Sequence, residues 1–334
     1  MKVICLGDKH LKISRFDLAL RYLSWAEELI AKEKPDIVVD LGDTFDGHAI
    51  LRAEIKNEFR RHIDTILASG VATYYYVLGN HDFFRPNSAQ YHALKDWEGV
   101  ENLVIVDKVY DNGTMTFVPY LPDHTTFPKK TSRICFAHQT FVGADYGNQR
   151  PEIGVVSEDV SAEVIISGHI HKPQSFGKVI YPGSAYSQNL DDLGQVKQVL
   201  IFDTETYEKR FVTVPLPMWF KHSCTLSNKF DIDCLHNDVL VSVFPGNHWV
   251  LEITGPKAEI LSYLSSLRFK ELQSRIDIRI MPIFTDNKKQ RVQIKSSSID
   301  GIVDEYLEKI YTGTLDKQRI KGKVLELLSK TKDA

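Results

Sequence analysis

Apolar and polar positions along the first quarter of the chain predict strand, helix, strand, helix, strand. Val3-Ile4-Cys5-Leu6 is a short apolar run that breaks on Gly7-Asp8-Lys9-His10. Phe16, Leu20, Leu23, Ala26 and Ile30 then recur at three- and four-residue spacing, a helical stripe that Lys34-Pro35 ends. Ile37-Val38-Val39 leads into Asp40-Leu41-Gly42-Asp43, and Leu51, Ile55, Phe59, Ile63 and Leu67 mark a second helix closed by Gly70. A β-branched and aromatic run over 73–78 leads into Gly79-Asn80-His81-Asp82. Continuous apolar strands joined by amphipathic helices predict an α/β fold with a mostly parallel sheet buried on both faces.

From 103 to about 214 the texture changes to short strand-like runs (103–106, 116–119, 134–137, 164–167, 179–181, 199–202 and 211–214), punctuated by Asn112-Gly113 and Pro182-Gly183. They predict a second sheet packed on the first. The stretch 215–222 looks like a boundary. Beyond it, apolar runs at 239–244, 249–253, 260–267 and 276–280 predict a small β-β-α-β unit. After a polar run, two helical patterns end the sequence. The first carries Ile299, Ile302, Val303, Tyr306 and Ile310, and the second Ile320, Val324, Leu327 and Leu328. The expected units are therefore 1–217, 218–284 and 285–334.

Composition sets broad limits. At 43% hydrophobic and 25% charged, the 334 residues can bury a substantial core. No apolar run approaches the roughly 18 residues of a membrane span, and Met1-Lys2-Val3-Ile4-Cys5 opens without a signal-peptide pattern, so a cytoplasmic protein is expected. Four cysteines without C-x-x-C spacing exclude a disulfide scaffold or zinc finger and fit reduced thiols. A net charge of −3 excludes a generic basic nucleic-acid coat but leaves room for local cationic surfaces.

The chemistry lies in five polar clusters, each directly after an apolar strand-like run: Asp8-x-His10, Gly42-Asp43-x-x-Asp46, Gly79-Asn80-His81-Asp82, His138 and Gly168-His169-x-His171. Loops at the carboxyl ends of strands in open α/β sheets converge on one crevice, so these residues can meet in one site. Singly, each has a plainer reading: a capped turn for Asp43 and Asp46, a satisfied strand-end histidine for His138. Together they gather five of the twelve histidines with carboxylate and amide oxygens, a donor set suited to Mn, Fe, Zn or Ni. So many ligands exceed the needs of a single ion. A carboxylate between two nitrogen-rich sets is the usual way to hold ions about 3.5–4 Å apart for in-line displacement at phosphorus.

The ordered motifs resemble those of calcineurin-like metallophosphoesterases, and within them the SbcD-type double-strand-break repair nuclease subunits. The likeness rests on Asp8-Lys9-His10-Leu11, Gly42-Asp43-Thr44-Phe45-Asp46, Gly79-Asn80-His81-Asp82, Gly168-His169-Ile170-His171-Lys172-Pro173-Gln174 and Tyr181-Pro182-Gly183-Ser184. It covers residues 1 to about 190 and rests on layout beyond. The chain is short for that group, as in versions from large bacteriophages.

The resemblance implies a two-sheet sandwich flanked by helices as the nuclease domain, a small α+β capping domain that senses DNA, and a C-terminal helical pair. It implies two divalent ions, Mn2+ foremost: Asp8, His10 and His171 would hold one, Asn80, His138 and His169 the other, and Asp43 would bridge them. His81 would be the acid assisting departure of the 3′ oxygen, with Asp82 orienting its ring. Asp46 stands where some relatives carry a phosphate-placing His, Lys12 where Gly is frequent and Ala185 where Pro is common. Asp46 and His48 are therefore held as second-layer or substrate-side residues.

The implied activity is a two-metal DNA phosphodiesterase: a 3′–5′ duplex exonuclease and single-strand endonuclease within an SbcCD-like recombination and repair complex. The alternative is a small-molecule phosphodiesterase acting on a cyclic nucleotide. Such an enzyme can stop near residue 215, whereas this chain runs on. A protein phosphatase is disfavoured by Gly47-His48 and Asp82, and a catalytically quiet scaffold by the intact ligand set. Implied partners are DNA ends and single strands, an SMC-like ABC-type coiled-coil ATPase of the SbcC type docking on the terminal helices, and a second copy meeting through helices around 51–67 and 88–97. Lys129, Lys130, Arg133, Lys288, Lys289 and Arg291 are the candidate phosphate contacts.

Overall fold

The computed structural model describes residues 1–48, 51–85, 88–146, 153–227, 247–286, 301, 303–304, 307–308 and 316–330. Strand β1 (Lys2–Leu6) is followed by α1 (Phe16–Glu33), β2 (Ile37–Asp40), α2 (Ala53–Ala68) and β3 (Thr73–Val77). The pairs β1–β2 and β2–β3 are parallel, and β3 pairs in parallel with β6 (Leu103–Val106). Between them lies a hairpin of β4 (Phe83–Arg85) and β5 (Ser88–His92). Helix α1 stops where Lys34 enters the left-handed region (φ 49°) and its N–H caps Ile30. Pro35, with no N–H to give, cannot extend the helix.

Strand β1 shows why two sheets must stack. Ile4 and Leu6 pack with Tyr22, Leu23 and Ala26 of α1 and Phe59 and Ile63 of α2. Val3 and Cys5 point the other way, onto Phe136, Ile166 and Ile180. Those three belong to a second six-stranded sheet with order β11-β12-β10-β9-β8-β7. Its strands are β7 (Tyr110–Asp111), β8 (Met115–Val118), β9 (Ile134–His138), β10 (Val164–Gly168), β11 (Gln174–Phe176) and β12 (Val179–Tyr181). The outer face of that sheet buries Cys135, Ala137 and Ile165 under Phe141, Val155 and Val160. Strands covered on both faces read as unbroken apolar runs, which is what the sequence displays.

Three of the seven runs expected in the second sheet belong to the first. Besides β6, β13 (Gln198–Asp203) pairs antiparallel with β1, and β14 (Lys209–Thr213) with β13, giving the order β14-β13-β1-β2-β3-β6. The helix expected over 88–97 is also corrected. Its first half is β5, and only Lys95–Trp97 forms a single 3-10 turn. Leu94 and Trp97, three apart and both buried, imitate a helical stripe from the end of a hairpin.

The boundary stretch 215–222 contains the start of a strand. Leu216 still packs in the helix-side core of the first sheet, and β15 (Trp219–Thr225) opens a third sheet. In it β15, β16 (His248–Gly255) and β17 (Asp277–Phe284) lie parallel and in chain order. Helices α3 (Lys257–Ser265) and α4 (Leu267–Arg275) connect the last two strands. They bury Ile260, Phe269 and Leu272 on Leu251 and Ile253. The run 239–244 lies outside the described residues, as do Ile299, Ile302, Tyr306 and Ile310 of the first terminal helical pattern. Leu307, a neighbour of that pattern outside its expected stripe, is buried, and α5 (Lys317–Lys330) is tied back to the same stretch by Lys321 and Asp304 at 2.6 Å. No helix among the described residues is long and apolar enough to cross a membrane.

Candidate metal centre

Five strands in parallel pairings, β1, β2, β3, β9 and β10, end at the same edge of the sandwich. Each delivers one polar cluster there. His138 closes β9 beside Gly168 of β10, so His169 follows directly across from it. Three of these residues sit at backbone angles that L side chains seldom adopt: His10 (φ 44°), Asp43 (φ 50°) and His169 (φ 84°). Such strain persists only where the surroundings over-determine it. Here the Asp43 carbonyl accepts from both Lys9 N and His10 N. Gly79 is forced by crowding, since a Cβ there would meet the Asp43 carboxylate and lie 2.7 Å from the His138 ring.

The side chains fall into two sets. Asp8, His10 and His171 bring ligand atoms within 4.8 Å of one another, and so do Asp43, His138 and His169. In the first set the Nε2 atoms of His10 and His171 face each other at 2.9 Å. In the second, Asn80 Oδ1 lies 3.2 Å from His138 Nε2 and 2.8 Å from His169 Nδ1. Asp43 Oδ2 stands between, 3.7 Å from His10 Nε2 and 3.4 Å from His138 Nε2. The Leu41 carbonyl accepts from His138 Nδ1 at 2.6 Å, which commits that nitrogen and turns Nε2 toward Asp43 and Asn80.

This cluster fits divalent cations. Asp8 Oδ1 accepts from His169 N at 2.8 Å, but Asp8 Oδ2 is buried without a hydrogen-bond partner. A buried anionic oxygen in that state is expensive unless a cation meets it. Burial pushes the Asp8 carboxyl above its usual range, His10 well below the imidazole range and His169 down to about 3. Burial would raise Asp43 too, but the imidazoles of His138 and His10 outweigh it and hold the carboxyl low. The same pairing reverses His138: burial opposes its charge, yet Asp43 and Asp8 lift it to about 9.

His81 borders both sets, its ring 4.7 Å from that of His10. Asp82 does not orient that ring, contrary to the expectation. Its carboxylate accepts from the main-chain N–H groups of Asp43, Thr44 and Gly79 and from the Tyr76 hydroxyl, at 2.9–3.2 Å. Burial, and then Asp43, push it up to about 7. The His81 ring is held instead by the Asp46 carbonyl, while the Asp46 carboxylate pairs with Lys12 at 3.1 Å. His48 stacks on His81 with centroids 4.4 Å apart.

The candidate phosphate contacts among the described residues are not brought to this edge. Arg133 precedes β9 at the end opposite His138, and its guanidinium is paired with Glu163 at 2.7 and 2.9 Å. Lys129 pairs with Asp159, and Lys130 lies in the same loop. Lys288, Lys289 and Arg291 lie outside the described residues. Sequence reasoning missed Lys9, which lies in sequence between the candidate ligands Asp8 and His10 and is fully buried on Asp40. It also missed Tyr120, whose ring lies 5.6 Å from that of His169. The signal for the first was Asp40, a carboxylate closing an otherwise apolar strand.

Residues 1–173 match the calcineurin-like phosphoesterase family, and the chain belongs to it. Members are metal-dependent hydrolases of phosphate esters. A relative, the candidate phosphoesterase 078R of Invertebrate iridescent virus 3, is 28% identical. That similarity covers 55% of this chain and 57% of the viral protein's length.

Proposed function

We propose that the protein is a DNA phosphodiesterase, the nuclease subunit of an SbcCD-like recombination and repair complex. It would cut duplex ends 3′–5′ and single strands internally with two Mn2+ ions. Asp8, His10 and His171 would hold one ion, Asn80, His138 and His169 the other, with Asp43 between. Bound there, the ions would supply a nucleophile from water at neutral pH and offset charge on the phosphoryl oxygens. His81 carries the proton. With Nδ1–H committed to the Asp46 carbonyl, its Nε2 is the atom left to protonate the departing 3′ oxygen.

The observation that favours a polymeric substrate is a cleft of about 810 Å³ between the start of α1 and the third sheet. Its wall carries Arg15, Arg21 and Arg279 with Trp219 and His248, and fewer carboxylates, Asp17 and Asp277, the latter paired with His248. Guanidinium groups with aromatic rings suit a phosphate backbone and its bases, and a small cyclic diester has no use for such a length of surface. The proposal extends to an ABC-type ATPase docking on the terminal helices and to a homodimer. The deciding experiment offers the Mn2+-loaded protein linear duplex DNA and a cyclic nucleotide in parallel. Turnover of DNA is expected; turnover of the cyclic nucleotide alone overturns the reading.

A further inference from the structure

Two lysines are buried whole beside the candidate centre, each on one carboxylate. Lys9 Nζ lies 2.6 Å from Asp40 Oδ2, and Lys197 Nζ lies 2.6 Å from Asp192 Oδ1. Asp40 also accepts from the Tyr74 hydroxyl at 2.8 Å and Gly42 N at 3.3 Å, so it joins the loop of Asp8 and His10 to that of Asp43. Lys197 donates to the main-chain oxygen of His171 at 2.9 Å. Gln188 couples the two pairs: its Nε2 donates to the Lys9 carbonyl at 3.0 Å and its N–H to Asp192 Oδ2 at 2.5 Å.

We propose that the pairs Lys9–Asp40 and Lys197–Asp192, joined through Gln188, are positioning residues that set Asp8, His10 and His171 around one ion. These three ligands come from loops some 160 residues apart in sequence. His171 follows the strained His169 and has no main-chain ladder of its own, so its carbonyl must be fixed by donors from elsewhere. Lys197 supplies one and Ser184 N another at 3.1 Å. On the opposite side, the Lys9 peptide is gripped through both its side chain and its carbonyl. The histidines of the second set are held by other groups: His138 is pinned by Leu41, and His169 by Asp8 and Asn80. The network touches His171 and the Asp8–His10 loop directly and the second set only through Asp8 and Asp43, so it should act mainly on one ion. This inference rests on the two-ion reading of the site and is indifferent to which phosphodiester is cleaved.

The test is Mn2+ binding to the full chain, counted by metal analysis and titrated calorimetrically, with unfolding of the metal-free protein followed alongside. Lys197→Met combined with Asp192→Asn removes both charges of one pair. Gln188→Leu removes the link to Lys9 and strands no charge. Each variant is expected to weaken one ion about 10–100-fold, the usual effect of losing a partner behind a ligand, and to weaken the other much less. A brace serving the fold alone would lower the metal-free unfolding midpoint and leave both affinities of the folded protein as they were; that result overturns the proposal. Should the double variant not fold, unchanged binding in Gln188→Leu overturns it equally. A wild-type chain that never takes a second ion overturns the two-ion reading instead.

Discussion

Nδ1 of His81 lies 2.9 Å from the main-chain oxygen of Asp46. A carbonyl can only accept, so Nδ1 keeps its hydrogen, and the proton given to the leaving oxygen is the second one, which Nε2 holds when the ring is an imidazolium. His81→Asn should then cut DNA turnover by about 10²–10⁴-fold, the range for a lost general acid. Bound Mn2+ should be unchanged. With bis(p-nitrophenyl) phosphate, whose leaving group departs without a proton, the loss should be much smaller. Equal losses on both substrates would remove the proton-donor role.

Asp82 makes a different prediction. Four donors converge on its carboxylate, so Asp82→Ala orphans buried groups at roughly 1–3 kcal/mol each. The urea midpoint of the metal-free protein should drop sharply. The pH–rate profile of the protein that remains folded should match the wild type, because the His81 ring is held elsewhere.

Gly79 leaves no room for a methyl group between Asp43 and His138. Gly79→Ala should lose Mn2+ binding and activity together, with about 1–3 kcal/mol of overpacking strain. Metal analysis of the purified variant is sufficient to check it.

Between pH 7 and 9 the metal-free and Mn2+-loaded forms should respond oppositely. His138 titrates at about 9 in the fold against 6.5 unfolded, so its stabilisation is complete below 6.5 and drains away as pH climbs to 9. That is at most about 3 kcal/mol. Mn2+ needs the deprotonated ring, so its affinity should rise over the same interval with release of a proton. Denaturation midpoints with chelator and with Mn2+, measured at each pH, should diverge. Parallel curves would contradict the assignment of His138 to the centre.

Arg133 is committed to Glu163 far from the ligand loops. Arg133→Glu should leave the slope of log K for DNA against log salt unaltered, since no phosphate contact is lost. Arg279→Ala, in the cleft, should make that slope shallower.

The candidate ligands could be gathered from sequence because each follows an apolar strand, and the parallel pairing turns that local sign into a shared edge. Strand partnership was not: nothing in the run 199–202 says that it lies against β1 rather than β12. The third sheet was half legible, since Trp219 and Phe220 at the start of β15 were hidden among prolines. Lys9 carries no local mark, because its burial depends on Asp40, 31 residues on; Lys197 pairs with Asp192 only five residues back, but across a turn that hydrophobic patterning does not show. Arg133 misled for a geometric reason. A residue entering a strand lies at the far edge from one leaving it, about 16 Å away over five residues.

The clasp of β13 on β1 sets the smallest piece of this chain that can work alone. Residues matching the family end at 173, yet Ala185 N bonds the Asp8 carbonyl and Lys2–Cys5 is zipped to Leu200–Asp203. Severed at 173, the strand that presents Asp8 becomes an open edge ready to pair with another molecule. Any excision, fusion or exchange of this enzyme's modules must therefore carry β13 along with the motifs.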